Sequence, residues 1–327
     1  MQRTGPPRDN SSPHPAPVSV IVPLFNETAT VTRLLEALNS QELPPAEVVC
    51  VDAGSTDDTA QCVDNFRGRV PVRLLRRGRM NPGEARNAGV ASAAHSWIAF
   101  ADGGTEPEPS WLCALMKAAG GGADVVFGSY EPLCDTFFRR CAALAYVPPR
   151  GPEGIRGPFI ASTALRRKAH EAVGGFPAQR ASEDLVFIEK VRASELRIAY
   201  APEAVVVWQT APGPASTFRR FALYSRVNLD VGRGRYWHRG LGRQTILVAA
   251  AILATVLIGG GAWGLALVPG WYLARVAKQA RAKRMEMPFR VWHPHLLVGA
   301  AALLVVVDLA TWVGALRWLT KAGGNSR

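Results

Sequence analysis

Short apolar runs alternate with amphipathic segments along the N-terminal part of the chain. A short apolar run bounded by turn residues is typical of a buried strand, and apolar residues at helical spacing are typical of a helix packed on a sheet. The run Val18–Val22 is followed by such a helical pattern at Val31, Leu34, Leu35 and Leu38. This alternation, with its short connections, predicts an α/β layered sheet.

The same two patterns predict the remaining elements of this domain. Further strand-like runs lie at 47–51, 72–75, 97–101, 124–128, 198–200 and 204–208. Helical patterns lie at 62–66, 83–94, 112–116, 137–146 and 183–193, and a basic one lies at 216–232.

Carboxylates follow some of the predicted strands directly. The first run leads to Glu27, the run Glu47–Val51 leads to Asp52, and the run Trp97–Ala101 leads to Asp102. In an open parallel sheet, ligands bind outside the carboxyl ends of the strands. Acids at consecutive strand ends therefore converge on one crevice, and the pattern predicts a nucleotide site there.

The C-terminal part of the chain has long stretches with almost no charge. There is no Asp, Glu, Lys or Arg from Gln244 to Ala274, and Asp308 is the only one from Val291 to Leu316. Mostly apolar runs of ~18 residues or more are candidates for membrane spans. The sequence therefore predicts a domain at 18–215 followed by an α-helical transmembrane region.

The uncharged stretch is too long for one upright span. As a single helix it would be about 46 Å long, against a hydrocarbon core of ~30 Å. Gly259–Gly261 lies in its middle, and basic clusters flank both of its ends. A hairpin over 244–276 puts both clusters on the cytoplasmic side, whereas one long tilted helix does not. The hairpin is favoured, and 294–319 is then a further span or a re-entrant segment around Asp308.

The net charge of +12 favours a membrane partner. Many of the cations flank the apolar stretches, in an interfacial segment at 216–243 and a basic loop at 277–293, and they have no interleaved aromatic residues of an RNA-binding type. Such clusters attract anionic lipid, so nucleic acid is not an expected partner. We expect a multi-pass protein of the cell membrane whose N-terminal domain is cytoplasmic.

Other features place few constraints on function. The five cysteines have no metal-ligand spacing and suit a reducing compartment. Residues 1–17 contain many prolines and predict a disordered lead-in, and 320–327 form a tail.

Several segments, in this order, resemble family 2 glycosyltransferases, which are inverting enzymes of the GT-A fold. That fold is the Rossmann-like fold of nucleotide-diphospho-sugar transferases. The resemblance covers roughly residues 17 to 210. The matching segments are Val18–Glu27, Val51–Thr59, Ala85–Gly89, Phe100–Asp102, Gly174–Phe176 and Ser182–Asp184.

The resemblance implies a site for a UDP- or GDP-sugar donor. Asp102 matches the first acid of the family's DxD motif, which holds Mn²⁺ or Mg²⁺ against the diphosphate. Gly104 replaces the second acid, and Glu106 is the next candidate ligand. Ala53 replaces a second acid that often contacts the nucleotide base in relatives, so the identity of the donor's base stays open. The implied donor-binding residues are Pro23, Phe25, Asn26, Glu27, Asp52, Arg86 and Asp102.

The resemblance also implies the catalytic pair. Asp184 matches the general base of the family, with Glu183 orienting it or the acceptor. The dipole of a helix stabilises an ionised carboxylate in its first turn, which suits a proton acceptor, although first-turn acids are common for the same reason.

The predicted protein is a membrane-anchored inverting glycosyltransferase. It would act in cell-envelope, lipid-linked or extracellular polysaccharide synthesis, on an acceptor hydroxyl presented at the membrane. Thr217–Phe221 lacks the Gln and Trp of the corresponding segment in processive synthases, which favours transfer of a single sugar. The alternative is a degenerate GT-A protein that binds a nucleotide or acts as a scaffold, which the missing acids at Ala53 and Gly104 motivate.

Overall fold

A mixed sheet of eight strands forms the centre of the N-terminal domain. The computed structural model describes residues 16–178, 182–258 and 267–324. The strands are β1 (Ala16–Leu24), β2 (Pro45–Asp52), β3 (Val72–Arg76), β4 (Trp97–Phe100), β5 (Thr105–Pro107), β6 (Val125–Pro132), β7 (Thr163–Arg166) and β8 (Ile198–Trp208).

Helices cover both faces of this sheet and continue beyond it. They are α1 (Val31–Asn39), α2 (Thr59–Asn65), α3 (Pro82–Ser92), α4 (Trp111–Ala119), α5 (Phe137–Ala145), α6 (Arg167–Ala172), α7 (Glu183–Ala193), α8 (Pro214–Asp230), α9 (Gly234–Leu257), α10 (Leu267–Lys283) and α11 (Pro294–Gly324).

The sheet is buried on both faces, which explains why its strands are nearly continuous apolar runs. Successive side chains of β1 point to opposite faces. Val20 and Val22 belong to one core cluster with residues of α1 and α4, and Ile21 belongs to the other with residues of α3 and α7.

The strand order is β3-β2-β1-β4-β7-β6-β8-β5. The first four strands in this order are parallel, as expected. Beyond β4 the sheet is mixed, because β7 is antiparallel to both β4 and β6 and β5 is antiparallel to β8, whereas β6 and β8 are parallel. Neither β5 nor β7 was predicted, since both are short and have no apolar run. The two predicted strands at 198–208 form one strand with a register shift.

The longest helix, α11, is packed on the sheet domain through α5 and α8. A Cβ atom built at Gly299 would lie 2.7 Å from Cys141 Sγ on α5, and one at Gly314 would lie 2.6 Å from Ser225 Cβ on α8. The Ser225 hydroxyl donates to the carbonyl of Thr311 at 2.6 Å. Glycine therefore permits close helix contacts at two separate points of α11.

We expect Gly314→Ala to destabilise the protein by about 1–3 kcal/mol, because the new methyl group overlaps the backbone carbonyl of Ala222. The matched control is Gly240→Ala on α9, where an added Cβ meets nothing within 4 Å. Thermal unfolding of the two variants in detergent makes the comparison. Equal melting temperatures would contradict the close packing of α8 and α11.

Of the uncharged stretch, residues 244–257 lie on α9 and residues 267–274 lie on α10. Arg243 at its beginning and Lys278 just beyond its end line the same cavity. The glycines at 259–261, on which the predicted turn falls, lie outside the described residues. By length and composition, His238–Leu257 and Pro294–Thr320 are both suited to cross a membrane. No residue in the most apolar part of the first is buried, whereas half of the residues in that part of the second are.

Two ionisable residues of the C-terminal region are buried and have partners. Helix α11 continues without a break through Asp308. The Asp308 carboxylate accepts hydrogen bonds from Arg275 and, at 3.0 Å, from the hydroxyl of Tyr272, and both of these residues lie on α10. Lys283, assigned to a basic loop by the sequence, lies on α10 and donates to the carbonyls of Ala143 and Leu144 at the end of α5. Both contacts tie α10 to its neighbours.

Candidate active site

The carboxyl ends of β1, β2 and β4 lie side by side, as their parallel pairing requires. Leu24 pairs with Asp52, and Ile21 pairs with Phe100. The loops that follow these three strands carry Glu27, Asp52 and Asp102 to one edge of the sheet. The predicted convergence of strand-end acids is therefore present in the fold.

The first two of these loops are bound to each other by hydrogen bonds. Asn26 has a left-handed backbone with φ of 56°, and its side-chain oxygen accepts from the amide of Thr56 at 2.8 Å. Its own amide donates to the hydroxyl of Ser55 at 3.0 Å. Asp52 is buried, and its carboxylate accepts from the Ser55 amide at 3.0 Å. These contacts give the edge a fixed shape.

An exposed aromatic ring lies at the rim of this edge. Pro23 lies near the end of β1, opposite Val51. Phe25, the first residue after this strand, has 40% of its surface exposed. The guanidinium of Arg79 lies 5.3 Å from the centre of the Phe25 ring. Arg79 is not among the residues that the sequence indicated.

A buried arginine joins the predicted donor site to the predicted catalytic pair. Arg86 on α3 donates from Nη2 to Asp102 Oδ1 at 2.8 Å and from Nη1 to Glu183 Oε1 at 3.1 Å. Its side chain is 5% exposed. Burial acts against its charged form, but Asp102 and Glu183 raise the pKa of Arg86 nevertheless. The guanidinium therefore remains charged and holds two carboxylates from distant parts of the chain.

The acidic pair begins α7. Ser182, just before the helix, has a left-handed backbone with φ of 61°. Glu183 is buried, and burial is the main cause that raises its pKa, against the effect of Arg86. Asp184 is half-buried, and its Oδ1 accepts from the amide of Leu185 at 2.7 Å. Glu183 is thus fixed by an ion pair, whereas Asp184 lies at the accessible end of the helix.

Glu27 is the carboxylate that lies beside the Asp102 loop. A Cβ atom at Gly103 would lie 2.7 Å from Glu27 Cδ. Burial raises the pKa of Glu27, and the charges of Asp102 and Asp57 raise it further. Glycine at position 103 therefore gives the Glu27 carboxyl room next to the loop.

The structure does not bring Glu106 to Asp102. Glu106 lies on β5 and contacts Arg33 on α1 at 3.4 Å, and it accepts from Gln209 at 2.8 Å. Thr105 and Pro107 on either side are buried, so strand alternation directs Glu106 to the other face. Within the described ranges, no group of three or more His, Cys, Asp or Glu side chains forms a metal cluster.

Helix α8 lies near these acids, which sequence reasoning missed. Burial raises the pKa of Tyr224; Arg220 opposes this, and Asp184, Glu183 and Asp102 add to it. Arg220 also lowers the pKa of Glu27. The sequence had assigned α8 to a membrane interface with its arginines reaching for lipid. Arg220 acts electrostatically on Glu27 and Tyr224, and only the position of this helix after the acidic pair could have indicated that. The assignment to a membrane interface stays a prediction.

A parallel strand edge that carries these acids, together with an acidic first turn on α7, is the arrangement expected of a glycosyltransferase domain of the GT-A type. Residues 19–175 match the family model described as Glycosyl transferase family 2. The chain therefore carries a family 2 glycosyltransferase domain, and it is a glycosyltransferase that acts on nucleotide sugars in polysaccharide or glycan synthesis.

Similar proteins agree with this assignment. Glycosyltransferase AglE of Haloferax volcanii is 26% identical over 255 residues, which are 74% of this chain and 80% of AglE. Matches to other curated relatives are shorter and span 30% and 15% of those proteins.

Solved structures share the fold. The mannosyltransferase PcManGT from Pyrobaculum calidifontis, in complex with GDP-Man and Mn²⁺, has a TM-score of 0.60 and 20% identity over 93% of this chain and 91% of that one. S. aureus TarS 1–349 in complex with UDP-GlcNAc has a TM-score of 0.51 and 18% identity over 90% of each chain. The roles of individual residues stay predictions.

Proposed function

We propose that the enzyme is attached to the cell membrane and transfers one sugar from a UDP- or GDP-sugar to an acceptor hydroxyl with inversion. The observation that carries this proposal is the buried Arg86, which joins Asp102 on the donor side to Glu183 of the acidic pair. One rigid group thereby fixes the distance between the leaving diphosphate and the general base.

Asp184 is the group that accepts the proton in this mechanism. The acceptor oxygen attacks the anomeric carbon while its proton passes to the Asp184 carboxylate, and the bond between that carbon and the diphosphate oxygen breaks. The helix dipole of α7 stabilises the ionised form of Asp184 before the reaction. Glu183 cannot rotate away from Arg86, so it positions the turn that carries Asp184.

The leaving diphosphate requires positive charge, which Arg86 supplies only in part because two carboxylates already neutralise it. A divalent cation, Mn²⁺ or Mg²⁺, would reduce the charge on the leaving oxygens. Asp102 would hold it, with Glu27 as the neighbouring carboxylate and phosphate oxygens of the donor as further ligands. Arg220 on α8 adds a protein cation on the same side.

We expect Asp102→Asn to raise the Mn²⁺ concentration for half-maximal activity roughly 10- to 100-fold. Glu106→Gln is the matched control, and it should leave this concentration unchanged because Glu106 is bound to Arg33 and Gln209. Titration of Mn²⁺ against nucleotide release makes the comparison. A larger effect from Glu106→Gln than from Asp102→Asn would overturn this assignment.

Membrane attachment is supported by the exposed apolar surface of the C-terminal helices. Large side chains of α9, including Ile246, Leu253 and Leu257, are exposed. The two basic ends of the uncharged stretch lie together, which supports the hairpin with both ends on the cytoplasmic face. The catalytic domain is then cytoplasmic, and the acceptor is a saccharide presented at the membrane, including a lipid-linked one.

Helix α11 attaches in a different way. It is held to the domain at both Gly299 and Gly314, so about 22 Å of its length runs along the protein. Its outer side carries a continuous apolar stripe that this arrangement turns toward lipid. The stripe consists of Val298, Ala302, Val305, Leu309, Trp312, Leu316 and Leu319.

The stereochemistry of the product tests the mechanism. An α-linked donor should give a β-linked product, which the anomeric coupling in a proton NMR spectrum distinguishes. A product that retains the donor configuration is incompatible with a single displacement by way of Asp184.

A further inference from the structure

A cationic cavity of about 410 Å³ lies between α9 and α10. Arg243, Gln244 and Leu247 of α9 line one side, and Trp271, Arg275 and Lys278 of α10 line the other. These residues belong neither to the edge of the sheet that carries the acids nor to α8. The cavity therefore has no part in the mechanism described above.

The charges of this cavity are not balanced by the protein. Arg275 is neutralised by Asp308. In the part of the chain that the structure describes, Arg243 and Lys278 have no carboxylate within salt-bridge distance. Two positive charges thus remain. In addition, Gln244 Oε1 is buried without a hydrogen-bond partner among the described residues, so the wall holds a polar atom that a ligand or water must satisfy.

The cavity lies at the level where a lipid headgroup would be expected. Arg243 immediately precedes the uncharged stretch, and Arg275 immediately follows it. Charged residues at the ends of membrane segments mark the headgroup layer. Leu247 and Trp271, which lie within the uncharged stretch, provide an apolar wall next to the cations.

We propose that this cavity binds the phosphate monoester headgroup of a membrane lipid, with its phosphate between Arg243 and Lys278. A monoester carries nearly two negative charges near neutral pH, which matches the two unbalanced cations, whereas a phosphodiester carries one. The apolar wall accepts the part of the lipid that adjoins the headgroup. The inference rests on the proposed membrane attachment and gives that surface a specific ligand.

The test uses the protein in detergent and two short-chain lipids. One is phosphatidic acid, a monoester, and the other is phosphatidylglycerol, a diester, and titration measures the affinity of the protein for each. Wild type should bind the first more tightly by roughly tenfold, on the order of what charge-assisted contacts by two cations contribute. The double variant Arg243→Gln/Lys278→Gln should lose this preference. Both residues are exposed, so the variant should fold normally.

The matched control removes two exposed cations outside the cavity, in the variant Arg281→Gln/Arg284→Gln. It should keep the preference for phosphatidic acid. If both double variants behave alike, or if wild type binds the two lipids equally or binds neither, the cavity proposal is overturned while membrane attachment stands. Recovery of the protein in the soluble fraction of cells would refute both. Displacement of phosphatidic acid by low concentrations of inorganic phosphate would make free phosphate the ligand and contradict the lipid assignment.

Discussion

Asp184→Asn should lower kcat about 10²- to 10⁴-fold and leave the affinity for the donor within a few-fold, because the amide accepts no proton but keeps the shape of the carboxylate. Asp184 lies in the accessible first turn of α7, whereas the neighbouring Glu183 is buried and forms an ion pair with Arg86. Initial rates of nucleotide release give kcat, and displacement of bound nucleoside diphosphate gives the affinity.

The control for this variant is Asp230→Asn, which changes an exposed aspartate at the end of α8. It should have the wild-type kcat. Because α8 lies near the acids, this variant also reports whether any loss comes from disturbing that helix. If Asp184→Asn retains most of the wild-type kcat, another group must be the base.

Arg86→Met should destabilise the protein by about 3–5 kcal/mol and abolish transfer. The substitution leaves Glu183 buried and unpaired, and removal of one partner from a buried ion pair has a cost of this size. It also releases Asp102 from the contact that fixes it. Unfolding in urea, followed by circular dichroism, measures the loss of stability.

A second substitution separates the structural and chemical roles of Arg86. In Arg86→Met/Glu183→Gln no buried charge is left without a partner, so part of the lost stability should return, whereas activity should not. The coupling between the two changes follows from the double-mutant cycle. Strictly additive losses of stability would mean that the ion pair does not hold these elements together.

The parts of the site that follow strands could be predicted from the sequence. An apolar run predicts a strand, and an acid directly after the run lies at the carboxyl end of that strand. Glu27, Asp52 and Asp102 could therefore be assigned to one crevice at the carboxyl edge of the sheet. The helix that begins at Glu183 is also confirmed. These are local patterns, and the parallel arrangement of β1, β2 and β4 converts them into a shared location.

Contacts between distant segments could not be predicted in the same way. Glu106 is two positions from Gly104, but strand alternation in β5 directs it to Arg33. Arg220 and Tyr224 lie near the acids because of where α8 packs, which no local pattern shows. Asp308 was an isolated acid in the sequence, and its partner Arg275 is on another helix. In each case the tertiary packing, and not the local pattern, determines the neighbour.

The most direct test measures nucleoside diphosphate release from a panel of UDP- and GDP-sugars, with and without Mn²⁺, by wild type and Asp184→Asn in detergent. We expect wild type to release nucleotide from one donor, and we expect Asp184→Asn to bind that donor without releasing nucleotide. Binding of nucleotide by wild type with no turnover of any donor, even with membrane lipid extract as a source of acceptor, would contradict the proposed transfer and favour a degenerate nucleotide-binding protein.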